Sequence, residues 1–219
     1  MARLLFTASS GGVSRDEFTS FNLALHVGDQ PESVEANRYF LQSLVSTDSL
    51  VFMDQIHGND CLVVDQVSNQ TSKVDALITQ QMNVGLVVQV ADCLPILIEG
   101  SDVVAALHVG RRGMANGLIQ NTVAQIRKLS SSKLVAMIGP GICGKCYEVD
   151  ELTYEEIVKI HPQADAGSRH LDVRSASSAQ LIAENIEVKS VDICAKENMN
   201  FYSYRRDGKT GRQVGVIAL

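Results

Sequence analysis

No stretch of this sequence is apolar for anything near the roughly 20 residues that a membrane helix requires. The longest apolar runs, around Val84 to Val90 and Val103 to Val109, have the length of buried strands. A basic excess is also missing. The net charge is -6 and the pI about 5.3, with no run of like charges, which argues against a nucleic-acid backbone as partner and favours a small substrate. The segment Met1-Ala2-Arg3-Leu4-Leu5-Phe6-Thr7-Ala8 is too short for the apolar core of an export signal. A soluble, cytoplasmic protein with no membrane partner is therefore expected. No Pro/Ser/Gly-rich linker, internal repeat or low-complexity tract divides the 219 residues, so a single domain over residues 1–219 is expected. Five cysteines are an odd number for a disulfide framework and read better as thiols, ligands or redox groups.

The elements that are present alternate between two periods. Pro31-Glu32, followed by Val34, Phe40, Leu41 and Leu44, predicts a helix with proline and an acidic residue in its first turn. Leu50–Met53, Cys61–Val64, Gly85–Val90, Leu94–Ile98 and Val103–Leu107 are short β-branched runs bounded by turn residues. From Met114 to Leu129, the residues Ala115, Leu118, Ile119, Thr122, Val123, Ile126 and Leu129 share one helical face, and Arg127 and Lys128 load its C-terminal end. A strand at Leu134–Ile138, helices near Glu151–Ile160 and Ser175–Asn185, and strands near Ser190–Ile193 and Val214–Ala218 complete the reading. Clustered strands mixed with helices predict an α/β class with mixed sheets. Pro95 within an apolar run suggests a sheet edge or a bulge.

Three residues stand out chemically. His57, Cys93 and His108 each lie at a strand end or the following turn, in Gln55-Ile56-His57-Gly58, Ala91-Asp92-Cys93-Leu94-Pro95 and Leu107-His108-Val109-Gly110. Two imidazoles and a thiolate suit zinc, and three ligands leave a fourth position open, which is the pattern of catalytic sites. Packed core side chains are the alternative, because the gaps between the three match no short metal motif. Cys93 and His108 flank an inferred hairpin whose antiparallel pairing would set them side by side. Gly110-Arg111-Arg112-Gly113 precedes the Met114 helix, where Arg111 and Arg112 would either hold phosphate or stand solvated. Asp92 and Glu148 are candidates to orient a ligand imidazole or move a proton, against turn-capping and a surface position respectively. Cys143-Gly144-Lys145-Cys146 is a lone C-x-x-C, open to thiol exchange; a zinc knuckle would need a second pair.

Ordered blocks along the chain carry a resemblance. They are Gly11-Gly12-Val13-Ser14, Phe21-Asn22-Leu23, His26-Val27-Gly28-Asp29, Glu35-Ala36-Asn37-Arg38, Gln55-Ile56-His57-Gly58, Val74-Asp75-Ala76-Leu77-Ile78-Thr79, Ala91-Asp92-Cys93-Leu94-Pro95, Ile138-Gly139-Pro140, Cys146-Tyr147-Glu148-Val149 and the segment from Ser203 to Gln213. Together they resemble the laccase-domain family, also called multicopper polyphenol oxidases and now regarded mainly as zinc-dependent purine nucleoside phosphorylases. The resemblance implies layered sheets flanked by helices, and it brings His57 to Cys93 and His108 as the third metal ligand. It implies phosphorolysis of adenosine, inosine or methylthioadenosine, with adenosine deamination in the same pocket. It makes Asn22 and Arg38 candidates for ribose or phosphate binding and draws His26 toward the pocket, while His161 and His170 are expected at the surface. The chain has no tryptophan, and Arg111 stands where the family usually carries one, which removes a stacking surface; Val109 stands where it usually has alanine. Copper-dependent phenol oxidation is the older family activity. Five histidines, two of them already used, leave too few for the further copper cluster such an oxidase needs. A metal-free Cys93–His108 hydrolase and a non-enzymatic metal-binding module are the remaining alternatives.

Overall fold

A computed structural model describes residues 2–67 and 71–219. Among these the chain runs through β1 (Arg3–Phe6), α1 (Pro31–Val45), β2 (Ser49–Phe52), β3 (Cys61–Val63), β4 (Ala76–Thr79), β5 (Val84–Val90), β6 (Leu94–Glu99), β7 (Val104–Val109), α2 (Arg111–Ala115), α3 (Leu118–Leu129), β8 (Val135–Ile138), α4 (Glu151–Ile160), α5 (Val173–Ala183), β9 (Glu187–Ser190), α6 (Tyr204–Asp207) and β10 (Gln213–Ala218). The strands form two mixed sheets, ordered β1-β10-β5-β2 and β3-β4-β7-β6-β8-β9. None of the described helices is long and apolar enough to cross a membrane.

The sheets pack face to face, and helices cover their outer faces. Leu86, Val88, Val90 and Ile217 of the first sheet meet Leu77, Leu97, Val104 and Ala106 of the second in one buried cluster. The opposite faces follow the period of two. Val87, Val214 and Val216 turn toward Leu41 and Val45 of α1, while Ile96, Ile98, Ala105 and Leu107 pack on Leu118, Ile119, Val123 and Ile126 of α3. Burial on both faces explains why β5 and β7 read as near-continuous apolar runs, interrupted only by Gln89 and His108.

Three expectations need correction. The Met114–Leu129 helix is two helices, because Gly117 adopts a left-handed φ of 84° and caps the start of α3. Pro95 sits in an interior strand. Its carbonyl accepts from Gly139 N at 2.8 Å just past the end of β8, and the Gly139 carbonyl that a backbone N–H at Pro95 would have met accepts from Arg174 instead. The strand expected near Ser190–Ile193 lies earlier, at Glu187–Ser190, in parallel register with β8. On α1, Val34, Leu41 and Val45 form the buried face, while Phe40 and Leu44 are exposed. The sequence pattern also missed β1 and β4. Both are only four residues long, and their place is set by pairing with β10 and β7.

Candidate metal centre and pocket

All three singled-out residues lie where the chain leaves a strand at one end of the two sheets. Cys93 ends the turn from β5 in the first sheet to β6 in the second, His57 lies in the connection from β2 to β3, and His108 is the penultimate residue of β7. The β6–β7 register sets Pro95 opposite His108 and Leu94 opposite Val109, which places Cys93 one step beyond the ladder, beside Gly110. One donor atom each from His57, Cys93 and His108 lies within 4.8 Å of the others. His57 Nε2 is 4.0 Å from Cys93 Sγ, and the two imidazoles meet edge-on with ring centroids 4.7 Å apart.

A residue outside the sequence-predicted set organises this cluster. Asp75, immediately before β4, is completely buried, and the β4–β7 pairing sets it against His108, whose backbone N–H donates to the Asp75 carbonyl at 2.8 Å. The Asp75 carboxylate accepts from His108 Nδ1 at 2.8 Å and from the backbone N–H groups of Ile56, His57 and Gly58 at 3.3, 3.0 and 2.6 Å. One side chain therefore fixes both the tautomer of His108, leaving Nε2 free, and the loop that presents His57. His57 itself has φ 59°, a left-handed conformation rare outside glycine, and these hydrogen bonds hold it there. The sequence signal was Asp75 within a family block just before an apolar strand, a buried-strand boundary that normally carries a turn residue.

The electrostatics follow from this geometry. Burial opposes a charge on Asp75, but the His108 hydrogen bond, the Gly58 N–H, the His108 charge and the His57 N–H outweigh it and hold the carboxyl below its ordinary range. Burial also opposes a Cys93 thiolate, yet His108 and His57 beside it bring the thiol well below its usual value. His108 is raised for the reciprocal reason: the Cys93 thiolate and the Asp75 carboxylate favour the imidazolium more than burial disfavours it.

The cluster forms one wall of a cavity of about 510 Å³, also lined by His26, Gln55, Gln89, Tyr147, Tyr204, Arg205 and Arg212. Gln55 bonds both backbone groups of Gln89, accepting from its N–H and donating to its carbonyl, which fixes the loop before His57. Asp92 has φ 90°, and its carboxylate accepts from Ser203 Oγ and Arg205 N, each at 2.7 Å. That bond ties the turn bearing Cys93 to the start of α6 and sets Arg205 at the cavity, where its guanidinium donates to the Glu148 carbonyl and stands 5.2 Å from the centre of the Tyr147 ring. Arg212 is held by the carbonyls of Thr210 and Gly211. Burial lowers its pKa, against the pull of the nearby Cys93 and Asp92 charges. Arg205 and Arg212 were not among the singled-out residues, although both belong to the block from Ser203 to Gln213.

Other expected positions separate from the cavity. Glu148 points to the surface, where its carboxylate pairs with Arg169, and only its backbone reaches Arg205. Asn22 is completely buried, with its amide engaged by Ala24, Asp29 and Arg212 N, and it has no free group for a ligand. Arg38 lies over the Phe52 ring and lines a different groove with Glu35 and Tyr39. Arg112 is exposed. Arg111 borders a cavity of about 60 Å³ behind Cys93, and its buried Nε has no partner in the protein. His26 does reach the main cavity, while His161 is half-buried against Ala115 and Gln180 rather than exposed. His170 bonds the Ser168 carbonyl, apart from the site.

The donor set fits a tetrahedral zinc ion, because nitrogen and sulfur ligands at ordinary zinc distances stand about 3.5 Å apart, within half an ångström of the His57–Cys93 separation. The family model described as multi-copper polyphenol oxidoreductase laccase matches residues 3–219. A purine nucleoside phosphorylase of Corynebacterium glutamicum is 38% identical over 99% of this chain and 94% of its own length. The purine nucleoside phosphorylase YfiH of Escherichia coli is 33% identical over 95% of the chain and 90% of its own. Among solved structures, a Neisseria meningitidis protein superposes with a TM-score of 0.91 at 32% identity, covering 100% of this chain and 94% of that one. YlmD from Geobacillus stearothermophilus gives 0.85 at 29% identity, covering 99% and 91%.

Proposed function

The chain belongs to the multi-copper polyphenol oxidoreductase laccase family, and from that membership we propose that residues 1–219 act as one domain, a zinc-dependent purine nucleoside phosphorylase that cleaves adenosine, inosine or methylthioadenosine with phosphate. The observation that carries the proposal is the convergence of His57, Cys93 and His108 on one wall of a cavity whose other side holds Arg205 and Arg212. Relatives bearing the phosphorylase name along nearly the whole chain support it.

A zinc ion held by His57, Cys93 and His108 would supply a Lewis acid with one open position. Arg205 and Arg212 bind and orient the phosphate, their guanidinium forks matching its oxygens, and Arg111 adds positive charge from behind Cys93. Tyr147 and Tyr204 give the purine apolar surface, a role the family's tryptophan would otherwise share. A phosphate oxygen bonds the anomeric carbon as the bond to the purine nitrogen breaks, and the proton of hydrogenphosphate passes to that nitrogen, giving the free base and ribose 1-phosphate, or its methylthio counterpart from methylthioadenosine. Asp92 acts by fixing Arg205 rather than by moving a proton. In adenosine deamination in the same cavity, water would add at C6 of the purine and ammonia would leave, yielding inosine.

The lowered Cys93 thiol beside a raised His108 favours one competing reading, a metal-free thiolate–imidazolium hydrolase. The copper oxidase reading finds no second histidine cluster among the described residues: His26 lines the main cavity without joining a donor cluster, and His161 and His170 bond backbone elsewhere. The deciding experiment is metal analysis of the wild type and Cys93→Ala, together with chromatography of adenosine products with and without phosphate. Adenine that forms only with phosphate, and zinc at the His57–Cys93–His108 cluster lost with Cys93, is the expected result. Inosine instead would make the site a deaminase, and full turnover after metal removal would transfer the chemistry to the thiolate.

A further inference from the structure

The lone C-x-x-C has a partner that the linear sequence hides. Cys143-Gly144-Lys145-Cys146 follows β8, and Cys194-Ala195-Lys196-Glu197 follows β9; both turns place a donor side chain at their first and fourth positions. β8 and β9 are parallel, so they deliver the two turns side by side and in the same direction. The pairing continues past the strands through Gly141 and Cys194: Gly141 N donates to the Ile193 carbonyl at 3.3 Å, and Ala195 N donates to the Gly141 carbonyl at 3.0 Å. Donor atoms of Cys143, Cys146, Cys194 and Glu197 all lie within 4.8 Å of one another.

We propose that Cys143, Cys146, Cys194 and Glu197 form a second, structural metal site that takes zinc, separate from the centre at Cys93. Three sulfurs and one carboxylate oxygen supply the four donors of a closed tetrahedral site, and two residues between the donors is the spacing of a zinc knuckle. Thiolate-rich sites select zinc over magnesium or calcium, which take oxygen ligands. Tetrahedral sulfur ligands stand about 3.8 Å apart, so the four donors need to close by no more than about an ångström. Hydrogen bonds already hold the donors together. Cys143 N–H points at Cys194 Sγ at 3.4 Å, Cys146 Sγ donates to Glu197 Oε1 at 3.4 Å, and Cys146 N closes the first turn on the Cys143 carbonyl at 3.0 Å. Lys145 and Lys196 occupy the third position of each turn, where their charge offsets the excess negative charge of the ligands.

The scaffold is built around both turns. Arg174 donates to the Gly139 carbonyl and to Ser190 Oγ, clamping the ends of β8 and β9 together. Arg206 donates to the carbonyls of Ala195 and Lys196 and holds the second turn. A single disulfide would use two of the three thiols and leave the third beside Glu197 without a role, whereas one cation uses all four donors. The consequence for the large cavity is mechanical: Ile142 and Tyr147, at either side of the first turn, line it, as do Tyr204 and Arg205, which follow the second. Zinc here would pin that wall.

The test uses the full-length protein, purified under reduction and loaded with zinc or cobalt(II) alone. Wild type is expected to hold two zinc ions per chain, Cys93→Ala one and Cys194→Ser one. Cobalt(II)-loaded Cys93→Ala should keep the intense sulfur-to-cobalt absorption of a three-thiolate site, and Cys194→Ser should lose most of it. Because Cys194 is half-buried and its serine variant could fail to fold, Cys146→Ser and the exposed Glu197→Gln are measured alongside, and each should weaken zinc retention against a competing chelator at least tenfold. Cys93→Ala that retains no metal while folded overturns the proposal. So does non-reducing peptide mapping that finds Cys143 joined to Cys146 or Cys194 in metal-free wild type. A wild type with one zinc that Cys194→Ser abolishes and Cys93→Ala leaves intact would instead sink the catalytic-centre reading and keep this one.

Discussion

Asp75 stands behind His108, its carboxylate 2.8 Å from the imidazole Nδ1 and on the side away from the Nε2 left free toward Cys93. The same carboxylate gathers the N–H groups of Ile56, His57 and Gly58, so it joins two ligands that are far apart in the sequence. Asp75→Asn keeps the shape but exchanges an acceptor for a donor and removes the charge. Zinc affinity at the first site should fall about 10- to 100-fold, as for other residues that hold a metal-binding imidazole. Competition against a chromophoric chelator measures it, and unchanged affinity would remove Asp75 from the site.

The lowered Asp75 pKa makes an acid prediction for the metal-free protein. A carboxyl depressed on folding contributes stability that is present above its unfolded value, about 3.9, and is lost as pH falls through the lower folded value. Urea midpoints of wild type should therefore decline below about pH 4, over a window set by that depression, and Asp75→Asn should show a shallower decline. Parallel curves for the two proteins would mean that the carboxylate carries no folding-linked proton.

Gly110 tests the cluster's tolerance without replacing a ligand. A Cβ there would stand 3.0 Å from Cys93 Sγ and 3.3 Å from His57 Cδ2, while the φ of -87° suits any residue. Gly110→Ala should leave the circular dichroism spectrum and thermal midpoint nearly unchanged while lowering turnover and first-site zinc occupancy several-fold. Normal occupancy would show that the loop carrying His57 yields easily.

Arg212 separates phosphate binding from nucleoside binding. Loss of a charged hydrogen bond costs about 1.5–3 kcal/mol, or roughly 10- to 100-fold in affinity. Arg212→Ala should raise KM for phosphate by about that factor and KM for the nucleoside by much less. Equal effects on both would assign Arg212 to the cavity's shape instead.

Leu97 lies in the layer between the two sheets and is completely buried. Leu97→Ala should cost about 2–5 kcal/mol in chemical denaturation, because the strands on either side are fixed by their ladders and cannot close the cavity. A loss under about 1 kcal/mol would mean that the sheets slide together to refill it.

Much of the layered fold was legible because burial on both faces writes near-continuous apolar runs, and burial on one face writes the helical period of α3. The chemistry of Cys93 and His108 was legible too, since a hairpin's register follows from local pairing. Local signals failed where position depends on a partner strand, as for β1 and β4, or on a single left-handed glycine, as between α2 and α3. They also could not tell which polar residue of a family block faces inward: Asn22 and Glu148 serve the frame, whereas Arg205 and Arg212 face the cavity. By itself the sequence determined the residue types, the strand and helix periods and one pair of neighbouring donors. The tertiary structure decided that His57 joins them, through the buried carboxylate of Asp75, and that a solitary C-x-x-C meets Cys194 and Glu197. Both decisions rest on pairings between distant strands, β4 with β7 and β8 with β9, and no sequence period encodes which strands will lie side by side.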